Sequence, residues 1–133
     1  MRDLAMEHIG LNVPEPLEMA EWYVKQLKMQ IVRKQDTNLM HFLADADGRV
    51  VMEIFHNAAA PLPDYRQKSP LEFHLAFQAD NLETLKDNLL TAKAMLVEDI
   101  NTTPAGDTMM MLRDPWGVPI QFVKRSIPLK ARS

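Results

Sequence analysis

The sequence predicts an α+β fold: two βαβββ modules whose mixed sheets curve together into a cup. Three observations carry this. Eight short runs have the apolar and β-branched make-up of strands, the clearest of them alternating with period two, and two longer runs show helical spacing. The order strand, helix, then three strands occurs twice. Each such unit has one helix, enough to cover only one face of its sheet, so the free faces are expected to meet over a shared cavity.

The first unit, about 5–56, opens with MEHIGLNV (6–13), where His8, Gly10 and Asn12 alternate with Ile9, Leu11 and Val13. Pro14 and Pro16 punctuate. LEMAEWYVKQLK (17–28) then places Leu17, Ala20, Val24 and Leu27 at helical spacing, with Pro16 suited to a first turn. QIVRK (30–34), LMHFLA (39–44) and RVVMEIF (49–55) read as strands, the last two joined by the hairpin loop Asp45-Ala46-Asp47-Gly48. His41 and His56 sit near strand ends and are expected at the surface or rim, His56 as the better candidate to support a site.

A linker, 57–70, carries three prolines and no periodicity, with Leu62 and Tyr65 expected to anchor it. The second unit, about 71–125, begins with LEFHLAFQA (71–79), Phe73, Leu75 and Phe77 facing away from His74, Ala76 and Gln78. Asp80 and Glu83 form a capping-box pattern ahead of a helix striped by Leu82, Leu85, Leu89 and Ala92. MLVEDI (95–100), TMMMLR (108–113) and VPIQFVK (118–124) complete it, the last two joined by the turn Asp114-Pro115-Trp116-Gly117. A tail, 126–133, follows, and the 133 residues read as a single domain of two modules.

Composition narrows the function. An apolar fraction of 47%, a charged fraction of 25% and a net charge of −3 are ordinary for a water-soluble domain. Basic residues are scattered except in the tail, at Lys124-Arg125 and Lys130-Ala131-Arg132, so neither nucleic acid nor a membrane surface is an expected partner. No run approaches the roughly 18 apolar residues of a membrane span, and the N-terminus lacks a signal-peptide core, so a cytoplasmic location is expected. Without cysteine there is no disulfide, thiolate metal site or cysteine nucleophile.

Register carries the chemistry. In the fourth strand of each unit Met52 and Ile54 alternate against Glu53, and Ile120 and Phe122 against Gln121. The first strands carry His8 and His74 opposite the bulky apolar set, 45 residues before Glu53 and 47 before Gln121. Each unit thus puts one histidine and one oxygen-bearing side chain on its helix-free face. If a pseudo-twofold relates the units, His8, Glu53, His74 and Gln121 converge as two imidazoles, a carboxylate and an amide oxygen, a donor set for a divalent metal with open positions. Taken singly, each is also explained as a hydrogen-bonded or solvent-facing residue. The matched placement favours the metal.

EHIGLNV, WYVKQLKMQIV, GRVVMEIF, LEFHLAF and LRDPWGVPIQFVKR, together spanning about 5–125, resemble the vicinal oxygen chelate superfamily of glyoxalase I, bleomycin-resistance proteins, methylmalonyl-CoA epimerase and extradiol dioxygenases. The resemblance implies a glyoxalase-like fold and a divalent ion (Ni, Zn, Co, Mn or Fe) bound through His8, Glu53, His74 and Gln121. It also implies a small-molecule substrate and a homodimer. Length and ligand order most resemble bacterial glyoxalase I, a lactoylglutathione lyase, which places a glutamate where this chain has Gln121. That glutamate is generally the base, and an amide has no useful basicity. The expected catalytic residue is therefore Glu53, in metal-assisted proton transfer beside a carbonyl, with a metal hydroxide as the other candidate. Two alternatives stand: a metal-free cup for an aromatic or amphiphilic ligand, lined by residues such as Phe55 and Trp116, and a non-haem Fe(II) dioxygenase using His8, His74 and Glu53. Arg33, Lys34, Arg66 and Arg113 are candidate anion contacts.

Overall fold

The computed structural model describes residues 3–129. Lys130, Ala131 and Arg132, the end of the expected basic tail, lie outside the described residues. The chain divides between Pro63 and Asp64 into two compact units.

In the first unit the elements are β1 (Ile9–Asn12), α1 (Pro16–Leu27), β2 (Gln30–Gln35), β3 (Met40–Ala44) and β4 (Val50–Phe55), with a short 3-10 turn at Thr37–Leu39. The sheet order is β1-β4-β3-β2. β1 pairs with β4 in parallel, and the other pairs are antiparallel. Helix α1 packs on β2, β3 and β4. Pro16 opens it, as a residue with no amide hydrogen can, and Lys28 closes it in the left-handed region at φ 59°.

The face α1 buries differs from the expected stripe. Pro16, Met19, Ala20 and Tyr23 are buried, whereas Leu17 is exposed and Val24 and Leu27 are intermediate. Met19 and Tyr23 extend the i, i+3, i+4 pattern from Pro16 and carry more buried surface than a face centred on Leu17 and Val24 offers. They pack with Leu11, Val13, Leu43, Met52 and Ile54 into the unit's core. His41 is a second correction: it is only 4% exposed, because its pairing with Ile54 turns it to the apolar side. Its Nδ1 donates to the Leu39 carbonyl at 2.7 Å, which satisfies the buried ring locally.

The second unit repeats the arrangement with β5 (Leu75–Gln78), α2 (Leu82–Thr91), β6 (Met95–Thr102), β7 (Thr108–Arg113) and β8 (Pro119–Lys124) in the order β5-β8-β7-β6. Again the first and last strands pair in parallel. Leu82 and Leu89 are buried, Phe77 stacks on Phe122 with centroids 5.7 Å apart, and Met110, Leu112 and Ile120 fill the core. The helix cap falls one residue later than expected. Asn81, not Asp80, accepts the Thr84 amide at 3.1 Å.

Both expected turns form as their side chains dictate. Asp45 Oδ1 accepts the amides of Asp47 and Arg49 at 3.0 and 3.1 Å, and Gly48 takes φ +82°. Asp114 is fully buried and accepts the amides of Trp116 and Val118, both at 2.9 Å. Gly117 sits at φ +93°, where a side chain would also meet the backbone of Arg66. The segment expected as a linker is partly built into the second unit. Tyr65 begins a 3-10 turn (Tyr65–Gln67) and is buried, while Leu62 is exposed.

Asp114→Ala removes a buried acceptor and leaves two amides orphaned inside the β7–β8 turn. The expected loss is on the order of 3 kcal/mol of unfolding free energy, read by urea denaturation. A change under about 0.5 kcal/mol would show that the turn is held by other means.

Candidate functional site

A parallel pair sets directly opposed residues on the same sheet face. In the first unit Gly10 stands opposite Glu53, and Glu53 opposite Phe42 across the antiparallel ladder. In the second, Ala76 stands opposite Gln121, and Gln121 opposite Met111. Gly10 and Ala76 each lie two residues after a histidine. Glu53 and Gln121 therefore occupy equivalent slots, each beside a small residue and on the face away from the helix. Burial agrees: Met52 and Ile54 are buried around an intermediate Glu53, and Ile120 and Phe122 around an intermediate Gln121.

The small partner leaves room for the donor. A Cβ added at Gly10 would stand 3.4 Å from Glu53 Oε1 and 3.3 Å from the Phe55 ring. Glu53 makes no hydrogen bond or ion pair among the described residues, although it is half-buried between Phe42 and Phe55 on this face. Gln121 Nε2 lies 3.7 Å from Met109 Sδ and donates to it. This orientation leaves the amide oxygen as its open acceptor.

Both histidines lie just before their strands, because β1 starts at Ile9 and β5 at Leu75 rather than at the expected Met6 and Leu71. His8 makes an edge-to-face contact with Phe42 at 5.6 Å. Its Nδ1 is 2.8 Å from Glu7 Oε1. His74 Nδ1 is 2.7 Å from the Pro70 carbonyl oxygen. A carbonyl only accepts, so His74 carries its proton on Nδ1 when neutral. A carboxylate acceptor favours the same tautomer of His8. In each ring Nε2 keeps its lone pair and has no partner among the described residues. An outward Nε2 with Nδ1 tied behind it is how histidines are commonly held toward metals. Each unit by itself supplies one imidazole Nε2 and one side-chain oxygen, donor types that suit a divalent ion. Among the described residues, no three His, Asp or Glu side chains form a metal-holding group.

The remaining histidine supports the first strand: His56 Nδ1 donates to the Val13 carbonyl at 3.0 Å. Of the expected anion contacts, Arg33 and Lys34 are exposed on the edge strand β2, Arg33 on the Glu53 side of the sheet through its pairing with Phe42. Arg113 is engaged elsewhere, with Nη1 donating to the carbonyls of Tyr65 and Gly117 at 3.0 and 3.1 Å. Arg66 donates to the Pro115 carbonyl. Glu7 and the Pro70 carbonyl were missed in the sequence. Glu7 is readable only as a neighbour of His8, and a backbone carbonyl leaves no sequence signal.

A family model described as Glyoxalase/Bleomycin resistance protein/Dioxygenase superfamily matches residues 5–122. The chain belongs to this superfamily. No curated protein matches it in sequence. Solved structures share the superfamily fold at low identity. A glyoxalase/bleomycin resistance protein/dioxygenase family enzyme from Burkholderia phytofirmans PsJN aligns with TM-score 0.73 at 16% identity over 91% of this chain and 98% of its own. A glyoxalase I mutant from Zea mays aligns with TM-score 0.71 at 18% identity over 92% of this chain and 46% of its own. TnmS3, an antibiotic binding protein from Streptomyces sp. CB03234, aligns with TM-score 0.69 at 15% identity over 95% and 99%. These neighbours in fold are titled as enzymes and as an antibiotic binding protein. Among the described residues no helix is long and apolar enough to cross a membrane.

Tyr65, under the second unit, has a phenol pushed up to about 12, chiefly by burial and secondarily by the negative charge of Asp114. Because the folded value is raised, the neutral phenol's contribution to stability is complete below the ordinary value near 10 and is lost as pH rises through about 12. Tyr65→Phe should therefore flatten the loss of stability between pH 10 and 12, followed by urea midpoints. An unchanged alkaline slope would place the titrating group elsewhere.

Proposed function

We propose that this superfamily member is a divalent-metal-dependent lyase or isomerase of the glyoxalase I type, acting on a small carbonyl or hemithioacetal-like substrate. The observation that carries the reading is the pair of matched donors in each unit: a histidine with Nδ1 tied back and Nε2 open, just before the first strand, and an oxygen donor on the helix-free face of the last strand. His8, Glu53, His74 and Gln121 hold the ion in this reading. When bound, the ion supplies Lewis acidity, polarising the substrate carbonyl oxygen.

The residues divide the rest of the work. In this reading Glu53 removes the proton from the hydroxyl-bearing carbon beside the carbonyl and returns it to the former carbonyl carbon, while the hydroxyl proton passes to the former carbonyl oxygen, so substrate and product are isomers. It takes that role by swinging off the ion, and no other side chain among the described residues then claims its charge. Gln121 accepts through its oxygen but cannot carry the proton. With an amide there in place of a carboxylate, a divalent ion keeps a net positive charge among these donors, which strengthens its pull on the substrate oxygen. Arg33, exposed on the Glu53 side of the sheet, is placed to meet an anionic group of the substrate. The protein acts as a cytoplasmic homodimer in this reading.

A second reading, a metal-free binding module, is favoured by the aromatic rings of Phe42 and Phe55 beside Glu53. The antibiotic-binding relative in fold is consistent with it.

Metal content separates the two. The purified wild type should hold close to one equivalent of divalent ion per chain by mass spectrometry of the metal, and His8→Ala should hold far less. Metal-free protein of both kinds after supplementation with Ni²⁺, Co²⁺, Zn²⁺, Mn²⁺ and Fe²⁺ would sink the catalytic reading. With a methylglyoxal–thiol hemithioacetal, Glu53→Gln should lower kcat about 10²- to 10⁴-fold. Gln121→Glu should raise it by restoring a second base, and equal rates for wild type and Gln121→Glu would show that the amide does not limit the reaction.

A further inference from the structure

The segment before β5 joins two features that the proposed site leaves unexplained: an arginine with no exposed role and a histidine outside its strand. His74 precedes β5, so no strand pairing sets its direction. Its ring is instead held by the Pro70 carbonyl. That carbonyl belongs to a run, Asp64–Phe73, fastened at several points. Ser69 accepts the Glu72 and Phe73 amides at 2.9 and 3.3 Å, and Glu72 Oε2 accepts the Ser69 amide at 2.7 Å. The Tyr65 ring lies against Phe73 with centroids 6.4 Å apart.

The other end of the run is tied to the β7–β8 turn. Arg113 bridges the Tyr65 and Gly117 carbonyls through one nitrogen, and Arg66 donates to the Pro115 carbonyl. Gly117 is bare where the Arg66 backbone passes: an added Cβ would stand 2.9 Å from the Arg66 nitrogen. Glycine permits this close backbone approach, and a side chain at 117 would push the run away. Among the described residues, the first unit has no counterpart. His8 is held by Glu7, its own neighbour.

We infer that residues 64–73 are a strap, clamped to the Asp114–Gly117 turn by Arg113 and Arg66, and that Arg113 is a positioning residue for His74. The role of His74 as a metal ligand rests on the proposed function; the clamp itself does not. Arg113 touches neither ion nor substrate. It fixes the anchor from which the Pro70 carbonyl holds His74 in its Nδ1-protonated tautomer, with Nε2 outward. Loss of such outer support commonly weakens metal binding about 10- to 100-fold.

The test uses the full chain and two readouts. Titration with Ni²⁺ by calorimetry should show Arg113→Ala binding roughly 10- to 100-fold more weakly than wild type, and Arg66→Ala several-fold more weakly. In a His74→Ala background, Arg113→Ala should add almost nothing, because its effect passes through that ring. In metal-free protein, ¹⁵N NMR should show His74 as the Nδ1-protonated form in wild type and as a tautomer mixture in Arg113→Ala. Arg66→Ala, which removes an exposed bond, serves both readouts if Arg113→Ala does not fold. An unchanged His74 tautomer in the variants, or an equal loss of Ni²⁺ affinity with and without His74, overturns the strap. A wild type that binds no Ni²⁺ removes the metal reading, and the NMR result then decides the clamp alone.

Discussion

The parallel pairing of first and last strand in each unit is the constraint on which the rest depends. It requires a crossover, which α1 and α2 supply, and it locks Gly10 to Glu53 and Ala76 to Gln121 in one register. A slip of one residue would bury Glu53 under α1 and turn Met52 and Ile54 out, exchanging two fully buried side chains for a desolvated carboxylate. The core therefore enforces the direction in which the polar residues point. That direction, with the small residue at the paired position, leaves the oxygens of Glu53 and Gln121 room on the open face.

What was legible in the sequence follows from which signals are local. The alternation in β4 and β8 was plain because each buried neighbour is large and apolar, and the turns at Asp45–Gly48 and Asp114–Gly117 declared themselves through an Asx side chain followed by glycine. Element order and fold class followed. Strand ends did not, since β1 and β5 last only as long as their partners keep pairing, and nothing at Met6 or Leu71 marks where that begins. The α1 stripe was ambiguous because Leu17, Met19, Ala20, Tyr23 and Val24 fit two adjacent faces, and only packing chooses between them. Asp80 and Asn81 are both good caps, and the choice rests on which oxygen reaches Thr84. His41 misled for a different reason. Polarity argued for the surface, while a backbone carbonyl two residues away met its need inside. Of the site, side-chain positions were readable, and the carbonyls and salt partners that orient them were not.

The equivalence of the two slots makes their difference in chemistry more telling. Glu53 has Phe42 opposite and Phe55 beside it, with no donor among the described residues to share its charge. Gln121 has Met111 opposite and spends its amide hydrogen on Met109. A carboxylate can carry a proton and an amide cannot, so slots that match in position differ in chemistry. In the proposed reaction the base comes from the first unit, and the second unit's donors only hold. The supports agree with that division. His8 leans on its exposed neighbour Glu7, while His74 is held by the Pro70 carbonyl, within the run inferred to be clamped to the Asp114–Gly117 turn. A donor whose ring is fixed from behind keeps its geometry better than one that leans on an exposed neighbour, so under the proposed function the clamped histidine lies in the unit without the base.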